Sequence, residues 1–541
     1  MGISRRDTLK LGGLATVGAA ALALPLGRSV GADTPSLLSS ARFPKRFAAP
    51  LVQPPLLQPV SVARDAAGRI IKKFYDVSVF ANPGAVIVPG LRTPLIGYNG
   101  IAPGPRIDVD QGVPAELIVR NRLPAQHPTF GTATAISTHL HGAASLPQYD
   151  GYASDLLQPG QRKTYQYGNS QSARTLWYHD HGVHVTSQNA YSGLAAQYHL
   201  HDPDERRLLP QGEFDVPLTL TDMMFKADGT LLYEDRSHSG LWGDVILVNG
   251  TPWPVMKVKK RVYRFRLLNA SIARSYRPTL STGEPVHMVA TDGGLMPVVQ
   301  QVTQWRHASA ERYEFLVDFS RYATGQRVEL RNLSNDNNRD YDYTGTIMAF
   351  DVTGEEVDTT DPSWNRLPTE LRRLDGQLVN QEVMAPTPTS ATKVRTFRFA
   401  RGNGEWTIND QTWDDVVASG FRNVLANPAL NAIEVWEFEN GSGGWSHPVH
   451  THLVDFKVLS RNGRPPFAYE KGPKDVVYLG PNETVRVIAK FGPHKGKYMI
   501  HCHNLPHEDH DMMHQFSVGL APGEVDLNDP IKAAPPTPDH G

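Results

Sequence analysis

The sequence predicts an all-β chain of three consecutive Greek-key β-sandwich domains, and three observations carry that expectation. Short runs rich in Val, Thr and Tyr alternate with the period of two that a half-buried strand needs. Gly (46) and Pro (42) punctuate these runs along the 541 residues, which suits many turns between short strands. An Asn-bearing turn followed by an alternating strand that ends in Asn occurs three times, at a spacing of roughly 150 residues, the size of a domain rather than of a solenoid repeat.

The N-terminus carries Ser4-Arg5-Arg6-Asp7-Thr8-Leu9-Lys10, an apolar stretch from Leu11 to Leu26, and small residues at Val30-Gly31-Ala32. Paired arginines, an apolar core and a small-residue cleavage site read as a twin-arginine export signal over residues 1–32, not a membrane anchor. With no second spanning stretch, the expected mature chain is soluble and periplasmic or secreted. A Pro- and Leu-rich lead-in follows, from Asp33 to about Val62.

The first repeat holds Tyr98-Asn99-Gly100 and a strand ending at Asn121. The second holds Val248-Asn249-Gly250 and a strand ending at Asn269. The third holds Thr407-Ile408-Asn409-Asp410 and a strand from Ile433 to Asn440. Polar, Pro-bearing stretches near His201-Asp202-Pro203-Asp204 and from Gly354 to Pro388 separate them. The expected domains are therefore 33–203, 204–370 and 371–541, with a helical turn at 368–374 in the second linker.

Lys plus Arg number 54 and Asp plus Glu 55, a net charge of -1. This balance gives no electrostatic footprint for nucleic acid or an anionic membrane. The densest basic run, Lys257, Lys259, Lys260, Arg261, Arg264 and Arg266, reads as one solvated strand face. The single cysteine, Cys502, excludes an intramolecular disulfide.

Four short clusters contain ten of the 21 histidines: His139-Leu140-His141, His179-Asp180-His181, His447-Pro448-Val449-His450-Thr451-His452, and His501-Cys502-His503 continuing to His507 and Met512. On a strand, residues i and i+2 share a face, with Cα atoms about 6.5–7 Å apart. A His-x-His pair thus holds one metal or straddles two. His501 and His503 face one way and Cys502 the other, so Cys502 serves a different metal from its neighbours. A thiolate, His507, a thioether at Met512 and one further His, supplied by His447, form a soft set that selects copper in an electron-transfer geometry. Zinc needs only four ligands and leaves eight of these histidines unexplained.

These four motifs, with Ser172-Ala173-Arg174-Thr175-Leu176-Trp177-Tyr178 before the second and Trp445 before the third, resemble the multicopper oxidase family, nearest to bilirubin oxidases and bacterial spore-coat-type laccases. The resemblance covers most of the mature chain. It implies three cupredoxin-like domains and four copper ions. It implies a type 1 copper on His447, Cys502, His507 and Met512, a type 2 copper on His139 and His450, and a type 3 pair on His141, His179, His181, His452, His501 and His503. It also implies that Asp150 and Glu508 serve oxygen reduction, and that Trp445 flanks the type 1 site. Asp180 is expected to support its loop, and His184, His510 and His514 to lie around the ligands without joining them.

The resulting expectation is a monomeric oxidase that takes single electrons from phenols, aromatic amines or tetrapyrroles and reduces dioxygen to water. A metallo-oxidase acting on Mn(II) or Cu(I) is the alternative, although the 11 methionines form no run longer than a pair. The complete ligand set argues against a copper-free relative. The paired histidine motifs and the length argue against a copper nitrite reductase.

Overall fold

The computed structural model describes residues 36–354, 364–402 and 404–540; the expected export signal lies outside them. Six β-sheets form three pairs. Strands between Ser61 and His201 supply five members of one sheet, whose sixth is Thr537–Pro538, and build a second sheet of four. Those between Asp215 and Val352 build sheets of seven and four, and those between Lys393 and Val518 build sheets of five and four. Each pair encloses its own apolar core, centred on Val77, Leu117 and Tyr198, on Phe265, Val328 and Phe350, and on Phe397, Trp436 and Ile500. Helices are short; among the described residues none is long and apolar enough to cross a membrane.

The repeated asparagines explain why the three units fold alike. Asn99, Asn249 and Asn409 have φ of 54, 51 and 54°, the left-handed region that Asn tolerates better than most residues. In each, the side-chain Oδ1 accepts a backbone N–H from a neighbouring strand, that of Ser78, Thr219 or Arg398. Asn121, Asn269 and Asn440 end strands that run parallel to Ile70–Asn82, Asp215–Met223 and Lys393–Gly402. Each spends its amide N–H groups on two buried carbonyls: Thr134 and Leu157, Arg274 and His307, Trp445 and Gly480. Each Oδ1 accepts the N–H two residues on, so the strand ends with no buried polar group unpaired.

Two expectations fail. Arg264 and Arg266 are wholly buried on the central strand Val262–Asn269. One face of this strand, Tyr263, Phe265 and Leu267, enters the core. The opposite face is covered by Thr175 of the preceding sandwich and Glu205 of the linking helix Pro203–Leu208, so the arginines pair with Glu205, Asp215 and Glu314 instead of water. Residues 368–374 form isolated bridges, Val298 with Glu370 and Arg372 with Leu378, and no helical turn; Asn380 is followed by a helix at Gln381–Met384. The chain ends by returning to the first sheet, where Thr537–Pro538 pairs with Gln161–Tyr167.

Candidate metal centres

The first and third sandwiches supply the four histidine clusters. Strand Thr138–His141 pairs with Arg174–Asp180, setting His139 opposite His179. Strand His447–Thr451 pairs with Gly496–Cys502, setting His450 opposite His501 and Val449 opposite Cys502. The next turn enters the helix Leu505–Asp509, which carries His507 and Glu508. Met512 closes this segment, its N–H donating to His507 O and its carbonyl accepting from Cys502 N–H.

Cys502, His447 and His507 converge at the bottom of the third core. Cys502 Sγ lies 3.5 Å from His447 Nδ1 and 3.6 Å from His507 Nδ1, and the two nitrogens are 3.3 Å apart. A trigonal centre with metal–nitrogen bonds of about 2.0 Å and a metal–sulfur bond of about 2.3 Å would separate its donors by about 3.5–3.7 Å, so the triangle fits one ion. The outer nitrogens are already committed. Ser442 Oγ donates to Asn440 Oδ1 and so accepts from His447 Nε2–H at 2.7 Å. His507 Nε2–H donates to Ser239 O at 3.1 Å. Both Nδ1 lone pairs are thereby free for a metal. Burial pushes the Cys502 thiol well above its ordinary pKa, so a bound cation is what would hold it as thiolate. Met512 is fully buried in the same core cluster.

The other eight histidines form a second, wholly buried group. The i, i+2 pairs His139/His141, His179/His181 and His501/His503 hold their rings 5.5, 5.8 and 5.5 Å apart. Three sets bring their donor atoms within 4.8 Å of one another: His139, His141 and His450; His141, His179 and His503; His181, His452 and His501. In the last, His501 Nε2 lies 3.2 Å from His181 Nε2 and 3.1 Å from His452 Nε2. Burial holds nearly all of these rings below the usual imidazole pKa, so neutral lone pairs face one another, an arrangement that a cation satisfies. One nitrogen is engaged in most rings: His139, His179 and His450 donate Nδ1–H to the carbonyls of Asp150, Asp180 and Asp475. The remaining Nε2 atoms of His139, His179, His450 and His503 and Nδ1 of His141 are buried without a partner. Such a set of orphaned acceptors fits bound metal.

Three carboxylates hold this group. Asp150 Oδ2 accepts from His452 Nδ1–H at 2.7 Å, while its Oδ1 has no hydrogen-bond partner. Burial pushes its pKa well up. Glu508 places Oε2 2.9 Å from His501 Nδ1 and Oε1 3.4 Å from His181 Nδ1, with neither oxygen in hydrogen-bond alignment. Burial alone would raise its pKa, but the His501 and His181 rings outweigh it and hold the carboxyl below its usual value. Asp475, which sequence reasoning did not single out, accepts His141 Nε2–H at 3.2 Å on Oδ1 and His450 Nδ1–H at 2.9 Å on its carbonyl. Arg312, from the middle sandwich, grips its two oxygens at 2.7 and 2.5 Å. Gly142 makes room for this pair: a Cβ there would lie 2.5 Å from Arg312 Nη2.

Trp445 is half-buried, edge-on to His507 at 6.1 Å between ring centroids. Trp406, also missed from sequence, stacks on His507 at 3.9 Å. Asp180 points away from the metal-facing groups and accepts Ser137 N–H and Asn189 Nδ2–H. His184 donates to Asp509 O, His514 meets Gln411, and His510 pairs with Asp235.

Comparison with known proteins agrees with this architecture. Multicopper oxidase family models match residues 82–205 and 386–521. The chain is 42% identical over 502 residues to a bilirubin oxidase from Albifimbria verrucaria, covering 89% of this chain and 83% of the relative. It is 33% identical to a laccase from Bacillus subtilis strain 168, covering 88% and 98%. A crystal structure of a laccase from Pediococcus acidilactici superposes with a TM-score of 0.74 at 27% identity, covering 89% of this chain and 95% of that one. By its sequence relatives, its fold and its converging histidines, the chain belongs to the multicopper oxidase family, whose members are copper-dependent oxidases that use dioxygen.

Proposed function

We propose that the chain is a laccase- or bilirubin-oxidase-like enzyme that couples one-electron oxidation of phenolic, aromatic amine or tetrapyrrole donors to the four-electron reduction of dioxygen to water. The observation that carries this reading is the Cys502–His447–His507 triangle, with both Nδ1 lone pairs freed by hydrogen bonds at Nε2. The assignment gives type 1 copper to His447, Cys502, His507 and Met512. It gives type 2 to His139 and His450, and the type 3 pair to His141, His179 and His503 and to His181, His452 and His501. Bound copper would accept single electrons from the donor and supply the reducing equivalents that dioxygen needs.

The chain's own residues do the rest. Cys502 belongs to one centre and its neighbours His501 and His503 to the other, so the backbone of residues 501–503 joins the two covalently. Asp150 orients His452 and is assigned to hold a proton at Oδ1, the oxygen without a partner. Glu508, a carboxylate between His501 and His181, is assigned to accept protons at its oxygens and pass them on. Trp406, fully buried, stacks on His507 and shields it from water, while the half-buried Trp445 offers aromatic surface to a donor. The relatives' names support the donor class.

The proposal includes export by the twin-arginine route, as a monomer, to the periplasm or beyond. The supporting feature is the Arg5-Arg6 motif with its apolar stretch. Replacing both arginines by lysine should leave the protein in the cytoplasm; unchanged export removes that part.

The deciding experiment measures copper content, the visible thiolate-to-copper band, and oxygen uptake with bilirubin, a phenol, an aromatic amine dye, Cu(I) and Mn(II). About four coppers, a blue band and preference for the organic donors support the reading. Preference for a metal ion supports the second reading, an oxidase of Mn(II) or Cu(I). That reading is favoured by the stacked His238–His510 pair with Asp235, since His238 O accepts from Trp406 Nε1 beside His507.

A further inference from the structure

A third cluster of metal-ligating side chains lies outside both centres. Strands Ile107–Asp110 and Ala195–His201 run parallel, with Asp108 opposite His199 and Asp110 opposite His201. Ile107, Val109 and Tyr198 belong to the first core, and Leu200 is fully buried. The period of two therefore turns Asp108, Asp110, His199 and His201 to the other face, where they line a cleft of about 200 Å³ together with Lys73 and Arg206. A donor atom from each of Asp108, His199 and His201 lies within 4.8 Å of the others.

The ring nitrogens are set as they are in the two centres already described. Gln197 spends its amide N–H on Thr219 Oγ1, which turns Oε1 toward His199 Nε2 at 2.7 Å. His199 Nε2 therefore carries the proton and Nδ1 keeps its lone pair. That Nδ1 lies 3.7 Å from Asp108 Oδ1, too far for a direct hydrogen bond but a span that one ion bridges. His201 Nδ1–H meets Glu205 Oε2 at 3.2 Å, and Glu205 is itself fixed by Arg264 and Arg266. Nε2 of His201 is left with the lone pair. A histidine whose second nitrogen donates to a carboxylate or amide oxygen is the usual arrangement of a metal ligand.

We propose that Asp108, His199 and His201 form a further metal site, for a divalent ion of the zinc or cupric class, separate from the copper centres. Two imidazoles and one carboxylate, with the cleft open to water as fourth ligand, suit such an ion and not Ca²⁺ or Mg²⁺, which require oxygen donors. Arg106 holds Asp108 by two hydrogen bonds of 2.8 and 2.9 Å. It leaves the outer lone pairs of the carboxylate free but partly neutralises its charge, which weakens the site relative to one with an unpaired carboxylate. A bound ion would clamp the two strands at the edge where the second sandwich begins.

The test uses fully copper-loaded protein titrated with Zn(II) against a chromophoric chelator, with copper measured before and after. The wild type should take up one zinc per chain without losing copper. The double variant His199→Gln/His201→Gln should take up none while keeping its copper and visible band, and Asp108→Asn should bind at least tenfold more weakly. No zinc uptake by the wild type, or unchanged uptake by the double variant, would overturn the site. Should the double variant fail to retain copper, the Asp108→Asn titration decides, with unchanged affinity overturning the proposal.

Discussion

Replacing Arg312 by methionine tests whether the middle sandwich, which supplies no ligand, controls the histidine centre. The side chain is wholly buried, and besides Asp475 it donates to the carbonyls of Thr175, Ala310 and Asp292. Methionine keeps much of the volume and removes every one of these donors. Asp475 would be left buried near Asp292 and Asp455, both of which already push its pKa up behind burial itself. Breaking a buried pair by removing one partner costs about 3–5 kcal/mol. Because Asp475 also orients His141 and His450, copper affinity in that group should fall about 10–100-fold. The blue band should persist, since none of Cys502, His447 and His507 touches Arg312. The assay is metal analysis after dialysis against a mild chelator, beside the band intensity and an apparent unfolding midpoint. Adding Asp475→Asn should restore part of the midpoint, because removing both members of a buried pair costs less than removing one. An Arg312→Met protein with full copper and a wild-type midpoint would refute this chain of reasoning.

Three further outcomes follow from the site. Cys502→Ser should bleach the visible band and abolish donor oxidation, and a blue, active variant would end the assignment of that centre. Met512→Leu should keep the colour and raise the reduction potential, because loss of a weak donor disfavours Cu(II); an unchanged or lowered potential, read by redox titration, would exclude Met512 as axial ligand. Asp150→Asn and Glu508→Gln separate proton delivery from ligand positioning. Proton carriers would leave copper content intact and reduction by donor fast while slowing reoxidation by dioxygen, whereas positioning groups would lower copper occupancy about 10–100-fold. The direct bond from Asp150 to His452 predicts the greater copper loss for Asp150→Asn, since Glu508 makes no aligned hydrogen bond.

What the sequence could reveal was set by how local the signal is. The three asparagine-ended strands and the His-x-His pairs are short-range patterns, and the alternation of a strand already separates Cys502 from His501 and His503. The same reasoning failed at Arg264 and Arg266. A strand face is solvated only if nothing packs on it, and what packs there, Glu205, comes from the helix Pro203–Leu208 that links the first sandwich to the second.

The residues that hold the ligands in place were hidden for a related reason. Asp475 and Arg312 are 163 positions apart, and Asp475 and His141 are 334 apart. Neither residue sits in a motif, and a lone Asp or Arg in a β-rich chain has no pattern to mark it. Yet the pair stands where all three sandwiches meet: His141 from the first, Arg312 from the second, Asp475 and His450 from the third. A sandwich that contributes no donor atom can therefore still decide whether the donors of the other two converge. This gives a physical reason for the middle unit to keep its buried charges. Arg312 reaches the histidine centre through Asp475, while Arg264 and Arg266, on the neighbouring strand, bind Glu205, the carboxylate that orients His201. One pair of strands in the middle sandwich, Val262–Asn269 and Arg312–Asp318, thus bears on imidazoles of two separate clusters, His141 and His201 on the first sandwich and His450 on the third. Their disruption should be felt as loss of metal before it is felt as loss of fold.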